Sequence, residues 1–168
     1  MSLKFANIYK QKGYLSQFCE NIYKEKYLKE EPAFKGMPER MVYETEIWMI
    51  GEQLRQEISK LKQKEITTFP LEEIMTIINT VKYGKGRESF VMTLHYFKSN
   101  NYLESYLGNL LYDNELYGFA IKELNKLKLY HYTEKIRDIL KDEKTHWIRK
   151  EAERYIQNGL LLDKSTDK

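Results

Sequence analysis

The sequence predicts an all-α fold, and three observations predict it. Apolar residues recur at helical spacing: Ile47, Ile50, Leu54, Ile58 and Leu61 are separated by 3, 4, 4 and 3 positions. Alternation of period two is absent over any comparable length, so no strand is expected. There are only three prolines, Pro32, Pro38 and Pro70, each standing where a helix would stop or start.

The elements follow in chain order. A first helix is expected over roughly residues 3–30, ended by Pro32. The Ile47–Leu61 stripe marks a long amphipathic helix between Pro38 and Pro70. Thr67 and Thr68 can cap the next helix, Pro70–Lys82, which runs into the turn Tyr83-Gly84-Lys85-Gly86. Helix Arg87–Lys98 precedes the turn Ser99-Asn100-Asn101. Helix Tyr102–Tyr112 breaks at Asp113-Asn114, and Glu115–Lys128 leads to the link Leu129–His131. Tyr132–Lys141 ends near Asp142-Glu143, and Thr145–Asn158 ends at Gly159, a plausible left-handed cap. Links of two to four residues make successive helices antiparallel neighbours.

The last six helices fall into three pairs. Leu110-Leu111-Tyr112-Asp113 and Ile139-Leu140-Lys141-Asp142 share a pattern 29 residues apart, and Leu103 and Leu107 match Tyr132 and Ile136. Leu116 and Ala120 match Ile148 and Ala152 at an offset of 32, because the second link is longer. A period near 30 marks stacked helical hairpins.

Ile139-Leu140-Lys141-Asp142 followed by Trp147-Ile148-Arg149-Lys150-Glu151-Ala152 resembles the HEAT-repeat family. That family has an apolar first helix, an Asp-containing turn, and a second helix opening with Val-Arg and a small residue four positions after the Val. The resemblance covers roughly residues 70–158. It implies a right-handed solenoid of antiparallel hairpins, with pairs 70–98, 102–128 and 132–158 packed as one unit (66–168). Residues 1–65 would form a cap of two longer helices. It also implies that Asp113 and Asp142 accept bonds in the turns, that Ala120 and Ala152 allow close helix approach, and that Arg149 reaches back to such a carboxylate. Arg87 stands at the Arg position of the first pair, where Phe90 replaces the small residue; Tyr117 replaces the Arg in the middle pair. Leu160-Leu161-Leu162 could cover the far end.

Composition narrows the function. Basic and acidic side chains number twelve and ten in residues 1–65, sixteen and fifteen in residues 66–168. Neither half carries the concentrated positive charge of a dedicated nucleic-acid binder. The densest basic tract, Lys60-Leu61-Lys62-Gln63-Lys64, fits a solvated helix end. Apolar runs are far too short to span a bilayer, and no apolar signal core opens the chain, so the cytoplasm is the expected location. Cys19 is the single cysteine, which excludes an internal disulfide and suits a buried thiol. His95, His131 and His146 form no metal motif, so neither metal nor cofactor is expected. Gly84-Lys85-Gly86 lacks the spacing of a phosphate loop. Abundant Lys, Ile, Asn and Tyr with few Ala and Gly suggest an AT-rich bacterial genome.

The leading expectation is therefore a non-enzymatic module that binds a protein on the concave face built from the second helix of each pair. Arg87, Tyr117, Arg149, Lys150 and Glu153 are the expected solvent-facing candidates. Trp147 could either staple a helix start or stand exposed. Six tyrosines between Tyr102 and Tyr132 strengthen a binding reading, since tyrosine combines contact area with a polar tip. The alternative comes from HEAT-type DNA glycosylases for alkylated bases, to whose aromatic–basic cluster Trp147-Ile148-Arg149-Lys150 is similar. The second helices here carry Glu88, Glu123, Glu151 and Glu153 but no mid-helix Asp.

Overall fold

Every regular element among the described residues of the computed structural model, 10–28, 39–66 and 69–166, is helical. Helices α1 (Tyr14–Leu28), α2 (Glu39–Ser59), α3 (Gln63–Ile66) and α4 (Leu71–Asn79) are followed by a 3-10 segment, Val81–Arg87. A four-residue α5 (Glu88–Val91) and a 3-10 turn (Leu94–Phe97) come next. The remaining helices are α6 (Leu103–Leu110), α7 (Tyr117–Leu127), α8 (Thr133–Asp142) and α9 (His146–Thr166). Pro32, Pro38, Thr67, Thr68 and the outer parts of the expected first helix lie outside the described residues. Contacts divide the chain into two compact units, 1–97 and 98–168.

In the first unit three of the five stripe residues form the core of α2, while Ile50 is half-buried and Leu61, also half-buried, lies beyond the helix end. Ile47, Leu54 and Ile58 have no solvent exposure, and each such side chain contributes about 1.5–3 kcal/mol by leaving water. This face of α2 packs on α1, on Val81–Arg87 and on α5. The pair expected over 70–98 thus belongs to the same unit as α1 and α2. The start of α1 is held from a distance: Glu73, in the first turn of α4, accepts bonds from the amides of Gly13 (2.9 Å) and Ser16 (2.8 Å). Those amides have no partner within their own helix, so the buried carboxylate satisfies donors that would otherwise be lost.

The expected Arg87–Lys98 helix is instead broken into short pieces. Two buried hydroxyls favour the break: Thr93 Oγ1 donates to Phe90 O at 2.7 Å and Ser89 Oγ to Gly86 O at 3.4 Å. Ahead of it Gly84 takes φ 51°, ψ −133°, backbone that only glycine occupies readily. A side chain there would overlap the Glu44 carboxylate, which accepts the Lys85 amide at 3.2 Å. Gly84 and Gly86 thus let the turn lie flat on α2, a packing role rather than a phosphate-binding one.

In the second unit α6 packs on α7, α8 on α9, and α7 on α9. Leu116, Ala120, Ile148 and Ala152 are all buried, with both alanines fully enclosed. Helix α7 ends at Lys128, whose φ of 59° is left-handed, with Leu129 N donating to Leu124 O at 3.0 Å; this is the closing bond of a Schellman end. Gly159 does not stop α9, which continues to Thr166. A Cβ on Gly159 would meet Tyr130 Cβ at 3.3 Å, so this glycine serves a close approach within the helix. Leu160, Leu161 and Leu162 are exposed.

Candidate functional site

The N-terminal halves of α7 and α9 carry five of the six residues expected at a binding face, Tyr117, Trp147, Arg149, Lys150 and Glu153. Asp113 Oδ1 accepts the Glu115 amide at 2.9 Å, and its backbone carbonyl takes the amides of Leu116 and Tyr117. This is the expected turn role of an aspartate. In the next turn the role shifts by one residue. Asp142 is the exposed last residue of α8, and Glu143 is buried in its place. Glu143 Oε1 accepts the Thr145 amide at 2.5 Å, and Glu143 Oε2 accepts the Tyr117 hydroxyl. Both carboxylates take the amide two residues on, and Glu143 reaches the Tyr117 hydroxyl as well, which the Asp-based pattern did not foresee.

Tyr117 is therefore half-buried rather than pointing freely into solvent. Burial, with the hydrogen bond to Glu143 behind it, pushes its phenol up to about 12. Burial pushes the Glu143 carboxyl upward, but bonds from the Tyr117 hydroxyl and the Thr145 amide outweigh it and hold the group below its usual value.

Arg149 does not reach the Asp142 carboxylate. It donates to the backbone carbonyl of Glu143 at 2.9 Å and, over a longer 3.4 Å, to that of Leu140, with the Glu153 carboxylate at 3.9 Å. It stays half-exposed. Arg87 overturns the expectation of solvent exposure: it is 2% exposed. Its guanidinium donates to Ile78 O at 3.0 Å and Gly84 O at 2.9 Å. Carbonyls at the end of α4 and in the glycine turn need donors once α2 covers them, and a buried arginine supplies several at once. Arg87 therefore offers no surface to a partner.

Trp147 both stands exposed and packs against its neighbouring helix. Its ring lies 5.0 Å from that of Phe119 on α7, tilted by 53°, while 39% of the residue faces solvent. Gly118 makes this possible: a Cβ there would fall 2.7 Å from the Trp147 ring and 2.9 Å from Ile148. Lys150 and Glu153 are exposed on α9. Phe119 and Gly118 escaped the sequence reading. Their only signal was a small residue followed by an aromatic one in the first turn of α7.

Of the six clustered tyrosines, Tyr102 and Tyr112 are exposed and Tyr106, Tyr117, Tyr130 and Tyr132 half-buried; the fully buried Tyr155, outside the cluster, donates to Leu129 O at 2.5 Å. The Tyr132 ring fills the space left by Gly108. Among the described residues no group of three His, Cys, Asp or Glu side chains is placed to hold a metal ion, and no helix is long and apolar enough to cross a membrane. No family model matches the chain, and no curated protein or solved structure matches it.

Proposed function

We propose that this chain is a non-enzymatic interaction protein built from HEAT-like helix pairs, and that it binds a protein partner on the face made by the second helices α7 and α9. The observation that carries the reading is Trp147: a large aromatic side chain, 39% exposed, braced against Phe119. A pre-ordered aromatic loses little entropy on binding, and tryptophan, tyrosine and arginine carry much of the energy at protein interfaces. Arg149 supplies a second such residue, with Lys150 and Glu153 exposed on the same helix.

The repeat reading is supported by a shared bond. Arg87 and Arg149 each donate to the carbonyl nine positions earlier, that of Ile78 and that of Leu140. Both arginines open the second helical segment of a pair and tie it to the end of the first. The packing of α7 on α9, second helix against second helix, also fits a stack of hairpins.

Site-specific photocrosslinking tests the reading. A benzophenone amino acid placed at position 150 or 153 should yield the same crosslinked protein in an extract of the source cells. The same group at position 141, on the first helix α8, should not. Equal crosslinking from 141 and 150, or crosslinking from 141 alone, would contradict it.

A further inference from the structure

Helices α7 and α9 run side by side in the same direction. Gly118, at the start of α7, lies against Trp147 and Ile148 at the start of α9. Further along both helices, Asn158 Nδ2 donates to Asn125 Oδ1 at 2.9 Å. The rings of Phe119 and Trp147 therefore meet where both helices begin. Helical spacing fixes what borders them, because residues three or four positions apart share a face. Lys122 follows Gly118 by four positions and Phe119 by three, and Lys150 follows Trp147 by three. Each helix places a lysine one turn beyond the ring pair.

These two lysines differ from most of the basic side chains around them. In the same unit Lys126 pairs with Glu123 and Lys141 with Asp138, both at 2.7 Å. Arg137 pairs with Glu134 and Arg154 with Glu151. Among the described residues neither Lys122 nor Lys150 enters an ion pair. Lys150 is exposed and Lys122 half-buried. The acidic groups of α7 and α9 are engaged elsewhere: Glu151 holds Arg154, Glu123 is fully buried, and Glu153 lies 3.9 Å from Arg149. Glu115 belongs to the turn ahead of α7, before the rings rather than beyond them. The surface beside Trp147 is an aromatic pair followed by positive charge.

Resting on the reading that α7 and α9 bind a protein, we propose that the partner presents an acidic segment. One of its apolar side chains packs on Trp147 and Phe119, and a carboxylate about 5 Å further along, one helical turn, meets Lys122 and Lys150. Nucleic acid fits this surface less well. A phosphate backbone repeats its charge and is held by a row of basic groups. Two lysines with Glu115 on one side and Glu153 on the other make no such row.

The test uses the full chain carrying Trp48→Phe, so that tryptophan emission reports Trp147 alone. The probes are a tryptophan-free peptide with one leucine among glutamates, the same peptide with lysine for every glutamate, and a single-stranded thymidine oligonucleotide. The glutamate peptide should alter the emission and bind at least about tenfold more tightly than the lysine peptide. Lys122→Gln and Lys150→Gln should each weaken it by about threefold or more, with unchanged circular dichroism. The double variant Lys122→Glu, Lys150→Glu should reverse the preference. The proposal is overturned if the glutamate peptide does not bind, if both peptides bind alike, or if neither glutamine variant weakens binding. It is also overturned if the oligonucleotide binds more tightly than the glutamate peptide, since phosphate would then be the anion recognised. Should any of these results accompany capture of one protein by crosslinking from position 153, the binding face stands and its acidic partner does not.

Discussion

The hydroxyl of Tyr117, on the first turn of α7, donates to the carboxylate of Glu143, 26 residues later in the turn between α8 and α9. A charge-assisted bond thereby ties the start of α7 to the α8–α9 turn. Tyr117→Phe removes it and should cost about 1–2 kcal/mol. The cost should depend on pH. Tyr117, raised to about 12, supplies its share of stability in full below its ordinary value near 10 and loses it as pH climbs toward 12. Glu143, lowered by its bonds, supplies its share above the ordinary carboxylate range and loses it as acid drives pH down through its folded value. The gap in melting temperature between wild type and Tyr117→Phe should therefore be widest between about pH 5 and 10 and should narrow on either side.

Arg87→Ala should destabilise the chain by about 2–4 kcal/mol, because two buried carbonyls lose their donor. Arg149→Ala should cost about 1 kcal/mol, since its carbonyl partners lie nearer to water. Urea unfolding of the two variants checks the order. Equal losses would show that the two arginines do not differ as their burial indicates.

The helical class and the inward positions were legible in the sequence, because periodicity reports directly on which side chains face the core. Ile47, Leu54, Ile58, Leu116, Ala120, Ile148 and Ala152 are all buried. What periodicity cannot encode is how a turn is satisfied. Glu143 rather than Asp142 caps α9, and Arg87 turns inward, because each answers carbonyls or amides brought near by tertiary packing. Gly118 and Phe119 had no signal beyond their residue types. Trp147 was ambiguous in sequence for a physical reason: it packs against Phe119 and yet stays 39% exposed.

Gly118→Ala should force the Trp147 ring away from α7. Overpacking at this contact should cost about 1–3 kcal/mol. In a Trp48→Phe background, emission from Trp147 should shift to the red as the ring enters water. An unchanged spectrum with unchanged stability would contradict the close approach at Gly118.

Cys19 is fully buried, and burial, with the Glu73 carboxylate behind it, pushes its thiol up to about 12. At pH 8 it should be a protonated, enclosed thiol with little nucleophilic character. Modification by a disulfide reagent should run about a hundredfold or more slower in the folded chain than in denaturant, limited by opening of the unit. Prompt reaction of the native protein would show that α1 is not closed over the cysteine.

The claim that α7 and α9 form a binding face rests on Trp147, and the most direct measurement is the affinity of the protein crosslinked at position 150 for wild type and for Trp147→Ala, with thermal melting of both. The account predicts a loss of at least about 2 kcal/mol in binding, or roughly thirtyfold, at a temperature where melting shows both proteins fully folded. Undiminished affinity, or a loss of affinity that merely follows a loss of stability, would contradict it and leave Trp147 as a staple between helices.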